Sequence, residues 1–324
     1  MTAPYYETRF NVSAIDVCTF TNGSPLPTAL TSFQGSFLIV TFIASIVVNV
    51  FFTVVVISQK ALHQRDLVLN MLLAVLHIII GLVANLSHLI SLITGSWVFG
   101  MPACYLVGNA IFFIGLMRYV LILVITVDRF GEIMYPFKYP QHAKKVIAVV
   151  ILIGTLFSLM LTLVFNLDTE IGCYNFDHSF HSCFIQIQCK TAGCYAFAMA
   201  HEDAPIIATH VRIIGARAQH QHHRKVVPDS SSASLQPVVT GVLLLVSLVI
   251  LTTPLQLYFT VRIFIQIDTS LEQVSTFAVL SGILHYLIPI ADGLVVMRNR
   301  NVKACLAAMG RKLVCCCCRQ SNQK

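Results

Sequence analysis

Residues 104–133 read CYLVGNAIFFIGLMRYVLILVITVDRFGEI, and Arg118 is the only charged residue of this stretch before Asp128. About 20 apolar residues in an α-helix are enough to cross the ~30 Å hydrocarbon core of a membrane. In lipid, a helix also satisfies every backbone polar group within its own segment, which a lone extended chain cannot do. The stretch is therefore predicted to be a transmembrane helix.

Apolar runs of similar length recur on both sides of this stretch and are separated by short polar segments. We predict an all-α membrane protein with seven spans: Phe33–Ser58, Leu67–Ile93, Cys104–Ile133, Lys145–Phe165, about Phe184–Ile214, Val238–Ile265 and Val274–Met297. The fifth span is the weakest because it contains His201, Glu202 and Asp203, and charges at membrane depth are costly. The composition agrees, since only 11% of the residues are charged, against about 25% in soluble proteins.

The distribution of basic residues supports a fifth crossing and sets the orientation. The segment before that span is acidic and rich in cysteine, whereas the segment after it contains Arg212, Arg217, Arg224 and Lys225. Basic loops face the cytoplasm, and seven spans with an extracellular N-terminus place most of the 21 lysines and arginines there. We therefore expect a multi-pass plasma-membrane protein. Topology accounts for the net charge of +7, so nucleic acid is not expected as a partner.

The two terminal segments carry signals for covalent modification. We expect residues 1–32 to be an extracellular N-terminus that is glycosylated at the sequons of Asn11 and Asn22. Residues 298–324 are expected to form a cytoplasmic tail whose short amphipathic helix lies on the membrane lipids. The cysteines after this helix are predicted to carry palmitate: Cys315, Cys316, Cys317 and Cys318. A zinc site is the alternative, but four adjacent cysteines lack the usual ligand spacing.

Short motifs within this arrangement point to a known family. The motif WVFG at residues 97–100 precedes Cys104, and the third span closes with Asp128, Arg129 and Phe130. With seven spans and these motifs, the chain resembles the rhodopsin-like (class A) G-protein-coupled receptors over about residues 33–314. Four further residues match the family's second inner loop, its first span and its last two spans: Pro136, Asn49, Pro254 and Pro289.

The resemblance implies a disulfide and a switch. It implies that Cys104 is bonded to a cysteine of the later outer loop, with Cys183 preferred over Cys173 and Cys189. It also implies that Arg129 pairs with Asp128 at rest and turns toward a heterotrimeric G-protein on activation. The alternative is that these two charges simply lie at the membrane interface.

The chain departs from the family pattern in the middle of the bundle. His77 stands where the family usually has an aspartate in span two, and Arg118 faces it from span three. In the family these positions help to hold a sodium ion, which two basic side chains would repel. Arg118 needs an anion, and we predict that Asp292 of span seven is its partner, together with the polar side chain of Asn49. Contacts of Arg118 with carbonyls and water alone are the alternative.

A ligand pocket is expected between spans three, six and seven, since membrane bundles build apolar sites between helices. Its predicted lining comprises Ile111, Phe112, Gly115, Leu116, Leu255, Gln256, Phe259, Arg262, Ala278 and Gly282. Ile111 stands where amine receptors carry an aspartate, so a monoamine is disfavoured and an apolar, neutral or acidic small molecule is favoured. For each of these residues taken alone, ordinary packing is the simpler interpretation.

Three functions are compatible with these patterns. The first is a receptor that binds a small molecule and activates a heterotrimeric G-protein, and the sequence MRNRNVK at 297–303 is similar to an ending common in odorant receptors. The second is a receptor-like partner or decoy that does not signal. The third is a proton-coupled transporter or channel, with a proton relay through His77, Arg118 and Asp292. We expect no enzyme, metal or cofactor, because no nucleophile with a placed base and no phosphate-binding glycine loop is recognisable.

Overall fold

The computed structural model of the chain describes residues 28–135, 138–167, 172–177, 182–187, 236–265 and 272–308. Its first part contains helix α1 (Thr28–Ser58) and a 3₁₀ turn (Lys60–Leu62). Helix α2 (Arg65–Ile80) continues through a π-helical turn (Gly81–Asn85) into α3 (Leu86–Thr94). Helix α4 (Gly100–Met134) and helix α5 (Tyr139–Leu167) follow.

A β-hairpin and further helices make up the rest of the described residues. Strands β1 (Gly172–Asp177) and β2 (Ser182–Ile187) pair antiparallel. The later helices are α6 (Gln236–Ile265), α7 (Glu272–Tyr286), α8 (Ile288–Met297) and α9 (residues 300–308). Pro254 lies inside α6, whereas Pro289 lies in the first turn of α8, where its missing N–H costs no helical hydrogen bond.

Six segments of the described residues are long and apolar enough to span a membrane. They coincide with six of the predicted spans, although α1 begins at Thr28, inside the predicted N-terminal segment. The predicted fifth span is wrong at its start, because residues 184–187 belong to β2. Residues 184–187 read FIQI, and the periodicity of so short an apolar run does not distinguish a strand from the first turn of a helix. Residues 188–214 of that span lie outside the described residues.

The apolar core lies toward the end of the bundle that contains Asp128, which is called the Asp128 end below. Its buried side chains come from six helices: Phe52, Val56, Leu73, Ile122, Leu248, Val296 and Val302. Val302 anchors α9 in this core, and Asn301 Nδ2 donates a hydrogen bond of 3.0 Å to Gln64 Oε1 ahead of α2. The predicted palmitoylation sites at residues 315–318 lie outside the described residues. The predicted glycosylation sites at Asn11 and Asn22 lie outside them as well.

The β-hairpin is fastened to the opposite end of the bundle, called the disulfide end below. Cys183 of β2 forms a disulfide with Cys104 near the start of α4, and both cysteines are fully buried against Trp97. The predicted Cys104–Cys183 bond is therefore confirmed. Cys173 lies in β1 opposite Gln186, and Cys189 lies outside the described residues.

Helices α4 and α5 come into close contact at Gly154. A Cβ atom added to Gly154 would lie 2.4 Å from Val120 Cγ1, well inside van der Waals contact. We expect Gly154→Ala to lower the free energy of unfolding by about 1–3 kcal/mol through overpacking. Denaturant unfolding of the purified protein in lipid nanodiscs measures this loss.

Two further variants test that explanation of Gly154. Adding Val120→Ala to Gly154→Ala should restore part of the lost stability, because it removes the methyl groups that clash. Gly241→Ala is the matched control, since a Cβ there would meet no atom of the described residues within 4 Å. Equal losses for Gly154→Ala and Gly241→Ala would contradict the packing argument.

Candidate functional site

A cluster of polar and charged side chains surrounds Asp292 of α8 in the middle of the bundle. Asp292 Oδ2 lies 3.3 Å from Arg118 Nη2 of α4 and 3.5 Å from His77 Nε2 of α2. Ser247 of α6 donates a hydrogen bond of 2.8 Å to the other carboxylate oxygen, Oδ1. The side chain of Asp292 is 1% exposed and that of Arg118 is 10% exposed. One carboxylate thus connects four helices, which we call the Asp292 junction.

The Asp292 junction agrees in large part with the network predicted from the sequence, because His77 and Arg118 both lie close to the carboxylate of Asp292. An isolated charge at this depth is costly, so the pairing of two opposite charges reduces the penalty that each would carry alone. Ser247 was not predicted. A serine in an apolar helix usually bonds its own backbone, and Ser247 Oγ does lie 2.9 Å from the carbonyl oxygen of Leu244. Sequence therefore gave no signal for its contact with Asp292.

Asn49 occupies a different place from the one predicted. Its amide Nδ2 donates to the carbonyl oxygens of Ser45 at 2.8 Å and Pro289 at 3.1 Å. Its Oδ1 has no hydrogen-bond partner among the described residues, so the expected contact with Arg118 is wrong. Pro289 lies in the first turn of α8, where N–H groups and not carbonyls lack helical partners, so the bond from Asn49 does not replace a helical hydrogen bond. Asn49 therefore joins α1 to the start of α8.

A second charged cluster lies at the Asp128 end. Asp128 is completely buried, and its Oδ1 lies 2.7 Å from Arg65 Nε of α2. Tyr139 of α5 donates a hydrogen bond of 3.2 Å from its hydroxyl to the same oxygen. Arg65 also pairs with Glu132, one helical turn after Asp128, and its guanidinium carbon lies 5.6 Å from the centroid of the Tyr139 ring. These four residues form what we call the Arg65 cluster.

The Arg65 cluster was missed from the sequence, which pointed to Arg129 as the partner of Asp128. The side chains of Arg129 and Phe130 are outside those that the structure describes, and so is Pro136. The position of Tyr139 depends on Gly131, where an added Cβ would lie 2.4 Å from Tyr139 Cε2. In a single sequence, Gly131 near the end of α4 and Tyr139 eight residues later give only a weak signal for this contact.

The residues predicted to line the ligand pocket differ in how deeply they are buried. Leu116, Ala278 and Gly282 are buried, whereas Ile111, Phe112, Gly115, Leu255 and Gln256 are partly exposed. A Cβ added to Gly115 would meet no atom of the described residues within 4 Å. Phe259 and Arg262 lie in α6, but their side chains are outside those described.

Polar side chains that were not predicted meet at the disulfide end between α1, α3 and α7. His88 of α3 is 1% exposed, and its Nδ1 forms a hydrogen bond with the hydroxyl of Tyr286. Its Nε2 lies 3.5 Å from Gln34 Nε2 of α1. The histidine and the tyrosine lie 198 positions apart in the chain, and no periodicity in the sequence connects them.

The sequence matches the 7 transmembrane receptor (rhodopsin family) over residues 48–293, which is more than half of the chain. The chain therefore belongs to the rhodopsin family of seven-transmembrane receptors, and it is a multi-pass membrane protein. This family is generally not enzymatic.

Structural comparison leads to the same fold. The crystal structure of squid rhodopsin superimposes with a TM-score of 0.75 at 16% sequence identity, covering 91% of this chain and 89% of that chain. At this identity the similarity shows the fold alone. A comparison with curated proteins gave no significant match.

Proposed function

We propose that this receptor senses a small extracellular molecule and activates a heterotrimeric G-protein. The observation that carries the proposal is the Asp292 junction, where a buried carboxylate connects α2, α4, α6 and α8. A buried ionisable group in a membrane bundle is costly and is most often functional. Along α4, Arg118 of the junction lies between the predicted pocket and the Arg65 cluster. A ligand that shifts one of the four connected helices would therefore change the contacts of Asp292.

The proposed ligand is an apolar, neutral or acidic small molecule. Ile111 supplies no counter-ion for an amine. One helical turn further along the same helix, a Cβ added to Gly115 would meet no atom of the described residues within 4 Å. Gln256, on α6, would offer a polar anchor, and Arg262 would attract an acidic group at the rim. A chemosensory role is consistent with this lining.

The proposed orientation places the disulfide end outside the cell and the Asp128 end in the cytoplasm. An oxidising exterior favours the Cys104–Cys183 disulfide, and α9 has exposed basic side chains at Arg300 and Lys303 beside its buried Val302. Such a helix lies well on anionic headgroups of the inner leaflet. Glycans on Asn11 and Asn22 and palmitate on residues 315–318 belong to the same proposal.

The proposal predicts that Arg129 is required for G-protein activation. We expect cells that express the receptor to show second-messenger signalling above mock-transfected cells with at least one G-protein class. Arg129→Ala should reduce this signal toward the mock level, because the arginine is expected to contact the G-protein. Surface display of both forms, measured by an N-terminal epitope, serves as the control. Normal display with no signal from any class would favour the non-signalling partner or decoy.

A proton-coupled transporter or channel is the second candidate, favoured by the contact of His77, Arg118 and Asp292. These three groups supply the elements of a proton relay within the bundle. Whole-cell current and intracellular pH, recorded while the external pH is stepped, separate the two candidates. A proton flux that is lost in Asp292→Asn and retained in Arg129→Ala would support transport over signalling.

A further inference from the structure

We infer that Arg65 is a positioning residue for the Asp128-Arg129 motif: it competes with Arg129 for Asp128 and thereby raises the ligand-independent activity of the receptor. The inference rests on the proposed function and adds a residue from α2 to the switch. It concerns the free-energy difference between the resting and active states of the receptor, which the Asp128-Arg129 motif alone does not determine.

The contacts of Arg65 place a second cation on the carboxylate of Asp128. Arg65 Nε lies 2.7 Å from Asp128 Oδ1, and the carboxylate itself is 0% exposed. The side chain of Arg65 is 26% exposed, so the pair is partly shielded from water and stronger than one between two fully exposed charges. Arg65 is held in place by two further contacts, an ion pair with Glu132 and the face of the Tyr139 ring.

These contacts weaken the restraint on Arg129 in two ways. Asp128 carries one negative charge, and in the proposed resting state Arg65 and Arg129, the next residue of the chain, would share it. In that state two cations would be held at one carboxylate, and like charges at short distance disfavour each other. Both effects lower the free energy needed for Arg129 to leave Asp128 and reach a G-protein.

Glu132 should have the opposite effect to Arg65. It is one helical turn after Asp128 on α4, and it neutralises Arg65 by pairing with it. Removing the charge of Glu132 leaves Arg65 to interact with Asp128 alone and removes an anion from the neighbourhood of Arg129. Ligand-independent activity should therefore rise in Glu132→Gln and fall in Arg65→Gln.

The test is ligand-independent nucleotide exchange on purified G-protein, catalysed by equal amounts of each receptor variant in nanodiscs. We expect Arg65→Gln to lower the exchange rate about fivefold, within the range of typical coupling between sites. Arg65→Lys should fall between Arg65→Gln and the wild type, and Glu132→Gln should exceed the wild type. Lys60→Gln, which removes an exposed cation five residues before Arg65, should leave the rate unchanged.

Opposite signs for Arg65→Gln and Glu132→Gln distinguish this role from a merely structural one. A structural role would move both variants in the same direction, and that result would overturn the inference. A rate for Arg65→Gln equal to that for Lys60→Gln would overturn it as well.

A second measurement does not depend on signalling. Thermal unfolding of Arg65→Gln, Asp128→Asn and the double variant should be non-additive, because the two groups are in direct contact. If the stability losses of the two single variants added up to that of the double variant, the result would contradict the direct interaction of Arg65 with Asp128 on which the inference rests. If the wild-type receptor catalysed no exchange with any G-protein class, the proposed function would fail and the inference with it. Exchange by the wild type that is unaffected in Arg65→Gln would overturn the inference alone.

Discussion

Asp292→Ala is expected to lower the free energy of unfolding of the receptor by about 3–5 kcal/mol, because it leaves a buried arginine without its anion. Arg118 Nη2 lies 3.3 Å from the carboxylate, and its side chain is only 10% exposed. Ser247 loses one of its two acceptors in the same variant and keeps the carbonyl of Leu244. Denaturant unfolding in nanodiscs, with helicity followed by circular dichroism, measures the change.

The matched control is Asp66→Ala, which removes a half-buried acid in the first turn of α2. This variant should lose less than about 1 kcal/mol, the usual effect of an acid at a helix N-terminus. Replacing both partners, as in Arg118→Met/Asp292→Leu, should recover much of the loss because no unpaired charge remains. A double variant as unstable as Asp292→Ala, or equal effects of Asp292→Ala and Asp66→Ala, would show that the pair is not coupled in this way.

Cys104→Ser is expected to have an effect of similar size, with a loss of about 4.5 kcal/mol in the loop-entropy account of disulfides. The bond closes a loop between residues 79 positions apart. Both sulfur atoms are buried beside Trp97, so the hairpin loses its covalent link to α4 and part of its packing together. The same loss should follow when the wild type is reduced with a thiol reagent, and unfolding under oxidising and reducing conditions measures it.

The two cysteines provide an internal control for this prediction. Cys104→Ser, Cys183→Ser and the double variant should be equally unstable, since each opens the same bond. Cys305→Ser removes a free, half-buried cysteine of α9 and should be nearly neutral. If the double variant lost about twice as much stability as either single variant, the cysteines would contribute through packing and not through their bond.

The parts of the fold that lipid dictates were predictable from the sequence. A bilayer requires about 20 apolar residues for each crossing, so the stretches around Phe52, Leu73, Ile122 and Leu248 could be recognised without any knowledge of their packing. The contact of Arg118 with Asp292 was predictable for the same reason, because a buried cation needs an anion and few anions lie at that depth.

The parts set by the relative rotation of neighbouring helices were not predictable. Arg65 begins α2 at the edge of the membrane, where a basic residue has many partners available, and only the packed bundle brings it to Asp128. The pair of His88 and Tyr286 depends on α3 and α7 in the same way. The first residues of the predicted fifth span, 184–187, were assigned to a helix although they belong to β2. A short apolar run is too brief for its periodicity to separate a strand from a helix.

The π-helical turn at Gly81–Asn85 should allow the helix that contains it to lose one residue without a change in how its two ends face their neighbours. Such a turn accommodates one residue more than an α-helical turn. Deleting one residue there would relax the turn to ordinary α-helix while the segments before and after it keep their facing. The same deletion within α2 would rotate every later side chain by about 100°, the angular step of an α-helix. A change in chain length that inactivates most helices would thus be absorbed at this place.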